Sequence, residues 1–486
     1  MAVPVDSTSP APDAKLNRKV IFISIGAALG GFLFGFDSSV VNGAVDAIEE
    51  EFALSAAVTG FTVASALLGC AVGAWFAGSL ANKYGRIRVM VISSIMFFLS
   101  AFGSGFAFGV YDLIFWRVLG GLAIGAASVI APAYIAEVAP SKFRGRLGSL
   151  QQLAIVLGIF TALLTDQVFA GVAGGAENTL WFGLEAWRWM FMAAAVPAII
   201  YGLAAIRLPE SPRYLVGRGR PEAAATVLQD FTGETDVSAR IGEIQRTLGD
   251  DDKRSLKDLR GKTFGLKSIV WTGILLSAFQ QLVGINVIFY YSTTLWQAVG
   301  FGASQAFLTS TITSVTNIVV TIVAIMLIDK IGRRLLLLIG STGMAVSLGM
   351  MAVAFANATP TSSGDVELTG GWATTALIFA NLFVVFFGAT WGPVVWVLLG
   401  EMFPNRIRAT ALAVAAAAQW IANFAITMTF PLFADIGLTF AYGFYASMAV
   451  ISLIFVYFRV PETRGMELED MRDDVIVKRG KFVYTD

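Results

Sequence analysis

The chain has 486 residues, of which 56% are hydrophobic and 14% are charged, and its formal net charge is zero. A soluble domain carries roughly a quarter charged residues, so this composition favours an integral membrane protein over a soluble enzyme or a nucleic-acid-binding protein. The chain has no histidine and a single cysteine, Cys70, which removes the commonest general base and excludes an internal disulfide. We therefore expect neither an enzyme nor a bound cofactor or metal.

Apolar stretches of about 20 residues, the length of a membrane-spanning helix, recur along the chain. They lie six and six on either side of one long polar segment. The sequence predicts an all-α integral membrane protein with twelve transmembrane helices in two halves. The predicted spans are residues 20–43, 57–80, 87–108, 111–134, 148–170, 188–208, 269–297, 305–328, 335–356, 374–399, 410–432 and 438–459.

Basic residues collect in every second loop between these spans, and the other loops carry acidic residues or no charge. Basic loops mark the cytoplasmic side, because Lys and Arg resist translocation. With an even number of spans, both termini lie in the cytoplasm, and the compact outer loops suggest a bacterial cell membrane. The basic loops contain Lys83/Arg86/Arg88, Lys142/Arg144/Arg146, the segment from Arg207 to Lys267, Lys330/Arg333/Arg334 and Arg406/Arg408.

The composition divides the chain into five segments. Within the polar segment, Pro221 to Ala225 and Ile241 to Leu248 predict short amphipathic helices. The segments are a disordered N-terminal tail at 1–19, a six-helix bundle at 20–208, a cytoplasmic linker at 209–268, a second six-helix bundle at 269–459 and a cytoplasmic C-terminal tail at 460–486.

The basic loops of the two halves repeat the same residues in the same order. Three matched pairs in order favour a duplicated six-helix unit over chance. The pairs are Gly85-Arg86 with Gly332-Arg333, the evenly spaced Glu137, Pro140 and Arg144 with Glu401, Pro404 and Arg408, and Pro209-Glu210-Ser211 with Pro461-Glu462-Thr463.

Opposite charges at the inner ends of neighbouring helices predict ion pairs, which we expect to cross the interface between the halves and hold the inner side shut. Exposed ion pairs contribute only about 0–1 kcal/mol each, so a set of them suits a gate that must open often. The residues expected in this cytoplasmic latch are Arg86, Glu137, Arg144, Glu210, Asp329, Arg333, Arg334, Glu401, Arg408 and Glu462.

Amide and indole side chains lie deep within several predicted spans. An amide offers donors and an acceptor to hydroxyl groups, whereas an aromatic ring suits an apolar C–H face. Gln281 and Asn286 diverge on a straight helix, but Gly284 between them permits a break that turns both inward. A single amide could simply tie two helices together, but the whole set favours a polar cavity. Its members are Gln152, Gln280, Gln281, Asn286, Asn317, Trp396, Gln419, Trp420 and Asn423.

Asp37 in span one and Arg117 in span four interrupt apolar runs. Each is six residues from the predicted outer end of its span, so both lie about 9 Å below the outer surface. A lone charge at mid-bilayer costs about 2.5–3.5 kcal/mol, so we predict that the two side chains pair. A functional role is favoured, and a structural ion pair near the interface is the alternative.

Several runs of residues resemble the signatures of the sugar porter family of the major facilitator superfamily, over nearly the whole chain. The resemblance implies the major facilitator fold and transport of a neutral monosaccharide, a hexose such as glucose or a pentose, by alternating access. It extends to bacterial sugar/proton symporters and to glucose facilitators. The runs are Asp329 to Arg334, Pro209 to Leu215, Pro461 to Gly465, Gln280 to Asn286 and Gly392 to Trp396.

The resemblance also implies roles for individual residues. Asp37 and Arg117 match the proton-linked pair of proton-coupled sugar porters, and rocking between outward and inward states would change the distance or hydration of this pair. Residues that match sugar-contact positions are Gln152, Gln280, Gln281, Asn286, Asn317, Trp396, Gln419 and Trp420, and lining or gating residues are Phe34, Tyr290, Tyr291 and Asn423. One departure is that Asn82 and Ile87 stand where the family has Asp and Arg, which predicts a weaker latch in the N-terminal half.

Three alternatives remain open from the sequence. A proton-independent facilitator is one, because some coupled relatives carry an acid in span six, where this chain has Met192 to Ala195. Another polyol such as inositol, or a drug-like amphiphile, is a second possible substrate. A sugar sensor without transport is the third, although the 27 residues after Arg459 are few for a signalling tail. We expect a monomer in the lipid bilayer whose partner is a neutral sugar and not a nucleic acid.

Overall fold

The computed structural model describes residues 18–138, 144–232, 237–251, 256–297, 300–360, 366–368, 370–404, 407–463, 475–478 and 481–484. Residues 1–17 of the predicted N-terminal tail (1–19) lie outside these residues, and residues 18 and 19 belong to the first helix. The helices are α1 (Arg18–Glu51), α2 (Ala56–Tyr84), α3 (Arg86–Gly105), α4 (Val110–Val138), α5 (Arg144–Ala173), α6 (Ala186–Ala193), α7 (Ala195–Arg207), α8 (Pro212–Gly217), α9 (Pro221–Val227), α10 (Val237–Asp251), α11 (Ser268–Leu282), α12 (Ile285–Tyr290), α13 (Ser292–Gln297), α14 (Ala303–Ile331), α15 (Arg333–Ala356), α16 (Gly371–Phe386), α17 (Gly392–Met402), α18 (Arg408–Ile436) and α19 (Leu438–Arg459).

Short strands and single turns occupy the connections. β1 pairs with β2, β4 with β5 and β6 with β7, each antiparallel. The strands are β1 (Thr179–Trp181), β2 (Leu184–Glu185), β3 (Arg260–Thr263), β4 (Thr359–Pro360), β5 (Val366–Glu367), β6 (Val475–Lys478) and β7 (Lys481–Tyr484), and π-helical turns cover Leu228–Thr232 and Phe387–Trp391.

Within the described residues, 12 helical stretches are long and apolar enough to cross a membrane. They confirm the predicted all-α membrane architecture, and most of their ends lie within a few residues of the predicted ones. Large apolar side chains such as Phe22, Trp75 and Phe115 are exposed on their outer surfaces, as expected of helices that face lipid.

The predicted end of span one at residue 43 is wrong, because α1 continues to Glu51. The acidic residues of the last two turns look like a loop in the sequence. In the structure Glu51 accepts hydrogen bonds from Trp187 and Arg188 of α6, and Asp46 accepts one from Thr294 of α13. Because these carboxylates have partners on other helices, the helix can continue through them.

Three spans are interrupted, and each interruption has a local cause. Span six divides into α6 and α7 near Pro197, which has no N–H to bond back to residue 193. Span ten widens into the π-helical turn Phe387–Trp391 just before Pro393, which likewise cannot donate to the residue four positions earlier. Span seven breaks after Leu282 and again at Tyr291, which leaves α11, α12 and α13.

The membrane helices form two bundles, and α1 of the first also contacts α12 and α13 of the second. In the first bundle α1 packs on α5 and α2 on α4, and in the second α11 packs on α18 and α15 on α19. Between the bundles α2 packs on α18 and α5 on α14. We call this interface the seam. Span two corresponds to span eight and span five to span eleven, so the symmetry of a duplicated unit exchanges these two contacts.

The two ends of the bundles differ in charge. The basic end carries the starts of α3 and α15 at Arg86 and Arg333, and the acidic end carries Glu51 and Glu185. The linker lies at the basic end, where α8, α9 and α10 bury a small apolar cluster that includes Leu215. The two predicted linker helices correspond to α9 and α10.

Candidate functional site

Asp37 and Arg117 form an ion pair inside the first bundle. Arg117 Nη1 lies 2.8 Å from Asp37 Oδ1 and 3.4 Å from the backbone oxygen of the same residue. The two residues are 7% and 3% exposed, and the guanidinium lies over the ring of Phe191 at 5.6 Å. Arg117 Nε has no hydrogen-bond partner among the described residues. Removal of either partner would leave a buried charge without its counterion, which is strongly destabilising.

The predicted contact between these charges is therefore present, although the depth calculation behind it was wrong. α1 continues fourteen residues beyond Asp37 to Glu51, about 21 Å, whereas Arg117 lies seven residues after the start of α4, about 10 Å. The side chains meet because α1 projects beyond the start of α4 at the acidic end.

A small cavity adjoins the ion pair. It is lined by Asp37, Arg117, Phe34, Cys70 and Tyr290, among others. Phe34 and Tyr290 are predicted lining residues, and Tyr290 belongs to the second bundle. The cavity therefore brings the charged pair of one half against span seven of the other half.

The predicted break in span seven is present and brings two predicted amides together. Gly284 has φ +80, a left-handed conformation that favours glycine, and a Cβ there would lie 2.9 Å from the ring of Tyr445. Across the break Asn286 Nδ2 donates to Gln281 Oε1 at 2.6 Å. The break at Gly284 therefore brings the side chains of Gln281 and Asn286 together, as the spacing of the two amides predicted.

Gln280 extends this row of amides to span ten. Its Nε2 donates to the backbone oxygens of Trp391 and Gly392, at 3.0 and 3.2 Å, next to the π-helical turn. Gln281 Nε2 lies 3.5 Å from Gln280 Oε1. Carbonyl oxygens only accept, so they fix the direction of the row: Asn286 donates to Gln281, Gln281 to Gln280 and Gln280 to the backbone.

The remaining predicted amides lie on other helices. Asn317 is buried on α14, and a Cβ on Gly388 of span ten would lie 3.1 Å from its Oδ1. Asn423 is buried on α18 and accepts from Thr427 at 3.2 Å. Gln419 Oε1 is buried without a partner among the described residues, and Gln152 is half-buried.

The two predicted tryptophans differ in their surroundings: one packs across the seam and the other is partly exposed. Trp420 meets Phe34 edge to face across the seam, with ring centroids 5.4 Å apart. Trp396 is 41% exposed. Its neighbour Trp391, which was not predicted, is completely buried and donates its indole N–H to the backbone oxygen of Leu337 and to Ser341.

The two adjacent tyrosines of span seven differ in their bonding. Tyr291 donates its hydroxyl hydrogen to the backbone oxygen of Thr427 at 3.1 Å and packs against Phe430, with the two rings tilted by 41°. Tyr290 is 3% exposed, and its hydroxyl has no hydrogen-bond partner among the described residues. The hydroxyl of Tyr291 is thus hydrogen-bonded within the second bundle, whereas the hydroxyl of Tyr290 has no such bond among the described residues.

A network of hydrogen bonds closes the basic end of the first bundle. Arg86 donates to Glu137 through Nη2 at 2.8 Å and Nε at 3.0 Å. Glu210 accepts the backbone N–H groups of Arg86 and Ile87 at 3.1 and 3.3 Å, and so caps the start of α3. Ser211 donates to Glu137. A carboxylate at a helix N-terminus also interacts favourably with the helix dipole.

The second bundle contains the same network. Arg333 donates to Glu401 at 2.8 and 3.1 Å, and Glu462 accepts the backbone N–H groups of Arg333 and Arg334 at 3.0 Å each. Thr463 donates to Glu401 at 2.6 Å. The pairs matched in the sequence therefore occupy matching positions in space.

The expectation that these ion pairs cross the seam is wrong for the described residues. Arg86 and Glu137 join α3 to α4, and Arg333 and Glu401 join α15 to α17, each inside one bundle. Within a bundle the third and fourth spans are neighbours, so each arginine reaches its own glutamate first. The side chains of the predicted latch residues Arg144, Asp329 and Arg408 lie outside the described part of the structure.

Hydrogen bonds join the two bundles at the acidic end, and none of their residues was predicted. Thr293 donates its N–H to Asn42 Oδ1 at 3.1 Å and its hydroxyl to the backbone oxygen of Asn42 at 2.6 Å. Asp46 accepts from Thr294 at 2.7 Å and from Gln297 at 3.2 Å. These contacts hold α13 of the second bundle against the last turns of α1.

A further buried acid, Asp166 on α5, also escaped prediction. It is completely buried, and its Oδ2 accepts the backbone N–H of Gly43 at 3.2 Å. A lone acid within an apolar span was the available signal, the same signal that singles out Asp37. The next residue, Gln167, accepts from Thr311 of α14 across the seam at 2.8 Å.

Comparison with known proteins gives one family for most of this chain. A family model described as "Sugar (and other) transporter" matches residues 23–474. The chain is 54% identical to the glucose transport protein of Synechocystis sp. over 467 residues, which are 96% of this chain and 99% of that protein. It is 36% identical to the D-xylose-proton symporter of Escherichia coli, with 94% of this chain and 96% of that protein covered.

Solved structures give the same result for the fold. The partially occluded inward-open conformation of the xylose transporter XylE from E. coli matches with a TM-score of 0.79 at 33% identity, and covers 93% of this chain and 100% of that one. XylE, a proton:xylose symporter, bound to 6-bromo-6-deoxy-D-glucose matches with a TM-score of 0.76 at 36% identity, with coverage of 93% and 98%.

Proposed function

Because this chain belongs to the sugar porter family of the major facilitator superfamily, we propose that it carries a neutral monosaccharide across the membrane together with a proton. Members of this family are transporters and not enzymes. The chain is a multi-pass membrane protein, and its two bundles provide the two units that alternating access requires.

The observation that carries the proposal is the row of amides at the break of span seven. Gln281 and Asn286 each keep one amide proton, and Asn286 keeps its oxygen, for a ligand after their mutual hydrogen bond is counted. A sugar offers hydroxyl groups that both donate and accept, which suits such a mixed set. Gln152, Asn317 and Gln419 would add contacts from three other helices, with Trp396 and Trp420 against the C–H faces of the ring.

The proton is assigned to the pair of Asp37 and Arg117. The pair is buried and joined through one nitrogen, Arg117 Nη1, so movement of α4 relative to α1 separates the charges without breaking a larger network. A carboxyl that loses its arginine in a buried place binds a proton more readily, because the charged form is no longer compensated. Sugar and proton are then coupled through the equilibrium between the two conformations.

The basic end would face the cytoplasm, since Lys and Arg collect there. Both termini then lie inside, and the acidic end, where Asn42 and Asp46 bind α13, is the outer side. In this conformation the outer side is closed. Residues 20–208 and 269–459 would act as the two moving bundles of a functional monomer, joined by the linker 209–268 and flanked by the tails 1–19 and 460–486, with no cofactor other than the transported proton.

Two alternatives share the same fold. A proton-independent facilitator keeps the amide row but does not use Asp37, and its residues Met192 to Ala195 offer no acid in span six. A carrier of another polyol such as inositol would use the same amides on a ring without a ring oxygen. One assay separates the two alternatives from each other and from sugar/proton symport.

That assay is counterflow in proteoliposomes with a panel of labelled sugars, repeated with and without an inward proton gradient. Glucose is tested first and xylose second, because the relatives at 54% and 36% identity carry these names. We expect exchange of at least one monosaccharide, accumulation only with the gradient, and loss of both in a variant with Gln281 and Asn286 replaced by leucine. Exchange without gradient-driven accumulation would assign the facilitator, and exchange of inositol alone would assign the polyol carrier.

A further inference from the structure

The hydroxyl of Tyr290 is a buried polar group without a hydrogen-bond partner among the described residues, and the residue lies beside the ion pair. It lines the same cavity as Asp37 and Arg117. The side chains of Ser38 and Asn423 lie close to it, one from each bundle, but neither meets it with hydrogen-bond geometry. A buried hydroxyl without a partner is rare, because the missing bond costs about 1–3 kcal/mol. The hydroxyls of Tyr201, Tyr442 and Tyr445 also lack a partner among the described residues, but of these four tyrosines only Tyr290 lines the cavity of the ion pair.

Tyr290 is also connected to the amide row. It lies four residues after Asn286 on the short helix α12, so the two side chains share one face. α12 begins at the break at Gly284 and packs against α1, which carries Asp37. A ligand that holds Asn286 therefore sets the position of α12, and with it the position of the Tyr290 hydroxyl relative to Asp37.

Few titratable groups face Asp37 from the elements packed around it. On α6, Phe191 covers the guanidinium of Arg117 and has no charge. The titratable groups among the described residues are Arg117 on α4, Cys70 on α2, Tyr290 on α12 and Asp166 on α5. Asp166 contacts α1 at Gly43, nearly two turns beyond Asp37. Of these, only Tyr290 belongs to the second bundle, so it alone changes its distance to Asp37 when the bundles move against each other.

We propose that Tyr290 is the positioning residue that connects sugar binding to the proton site: when Arg117 has moved away, the oxygen of the Tyr290 hydroxyl accepts the hydrogen bond of protonated Asp37. This inference rests on the proposed function. The proton comes from water on the open side and returns to water when Arg117 replaces the hydroxyl. A neutral hydroxyl can accept from a carboxylic acid, whereas the guanidinium can only donate, so the two partners select the two protonation states.

The test compares Tyr290→Phe with Tyr291→Phe in proteoliposomes, with sugar exchange at equal pH and sugar-induced proton uptake measured on the same preparation. Loss of the Tyr290 hydroxyl removes no hydrogen bond among the described residues, so we expect the variant to fold and its proton uptake per exchanged sugar to fall below that of the parent. Gradient-driven accumulation should fall roughly tenfold, the factor that corresponds to about 1.4 kcal/mol. Tyr291→Phe removes a bond inside the second bundle and should leave the number of protons per sugar unchanged.

A double variant of Asp37 and Tyr290 tests the proposal even if the single variants differ in stability. In Asp37→Asn the proton site is lost, so addition of Tyr290→Phe should change neither exchange nor accumulation further. Equal proton uptake per sugar in Tyr290→Phe and the parent, or additive effects in the double variant, would overturn the role of Tyr290. Absence of proton uptake in the parent itself would instead overturn the proposed symport, and absence of sugar exchange would overturn the proposed transport.

Discussion

Replacement of Gly284 by alanine tests the break on which the sugar site depends. Alanine at φ +80 is left-handed, which costs about 1–2 kcal/mol. Its Cβ would lie 2.9 Å from the ring of Tyr445, a side chain with 1% exposure and little room to move, and overpacking of this kind typically costs about 1–3 kcal/mol. We therefore expect the unfolding free energy to fall by about 2–5 kcal/mol if the break is kept.

The chain can avoid this strain only by straightening span seven, which separates Gln281 from Asn286. In either case the variant should bind sugar more weakly, measured by titration calorimetry in nanodiscs alongside chemical unfolding. The control is Gly349→Ala in the interior of α15, where a Cβ would meet nothing within 4 Å and alanine should be neutral or slightly stabilising. A Gly284→Ala protein with the stability and the sugar affinity of the parent would refute the reasoning.

Three further predictions follow from the contacts between helices. Glu401→Gln removes the charge that binds Arg333 and should lower the unfolding free energy by about 2 kcal/mol in thermal or chemical unfolding; an unchanged midpoint would contradict the importance of this network. Thr294→Val removes a donor to Asp46 and should move the equilibrium roughly fivefold toward the state open at the acidic end, seen as longer distances between spin labels on the two bundles; unchanged distances would argue against a closing role. Asp37→Asn leaves Arg117 without its counterion and should lower stability; per folded protein it should abolish sugar-induced alkalinisation while sugar exchange persists, and retained alkalinisation would place the proton elsewhere.

The fold was largely predictable because twelve apolar stretches leave few alternatives in a bilayer. The errors have a common origin in charged residues with partners far along the sequence. Asp46 and Glu51 looked like a loop, since nothing near them in the chain shows that Thr294 and Trp187 lie beside them. The closing contacts of Asn42 were missed for the same reason, because a single neutral amide among apolar residues does not reveal its partner on a helix of the other half.

The sequence predicted which residues form the site, but not most of the contacts between them. Gly284 and the spacing of Gln281 and Asn286 contained enough information for the break and the amide contact. The spacing of Glu137 and Glu401 after their spans predicted a matched pair of networks, but it could not tell whether each arginine binds within its bundle or across the seam. That choice depends on which helix ends are neighbours, which is a property of the packed bundle.

The strengths of these contacts indicate where the molecule moves. Inside each bundle, a bidentate arginine–glutamate pair and a capping glutamate tie the helices with charge-assisted bonds of about 1.5–3 kcal/mol each. Across the seam at the acidic end, the donors are the hydroxyl, amide and backbone groups of Thr293, Thr294 and Gln297, and bonds between membrane helices average about 0.6 kcal/mol. A free-energy change of a few kcal/mol, such as the binding of a sugar supplies, is enough to break the bonds across the seam but not the bonds inside each bundle. The bundles should therefore move against each other about the seam, and the shift of α4 against α1 at the ion pair is the movement that the mechanism needs inside a bundle. The ion pair of Asp37 and Arg117 then lies beside the contact of α1 with α12, which such a movement changes.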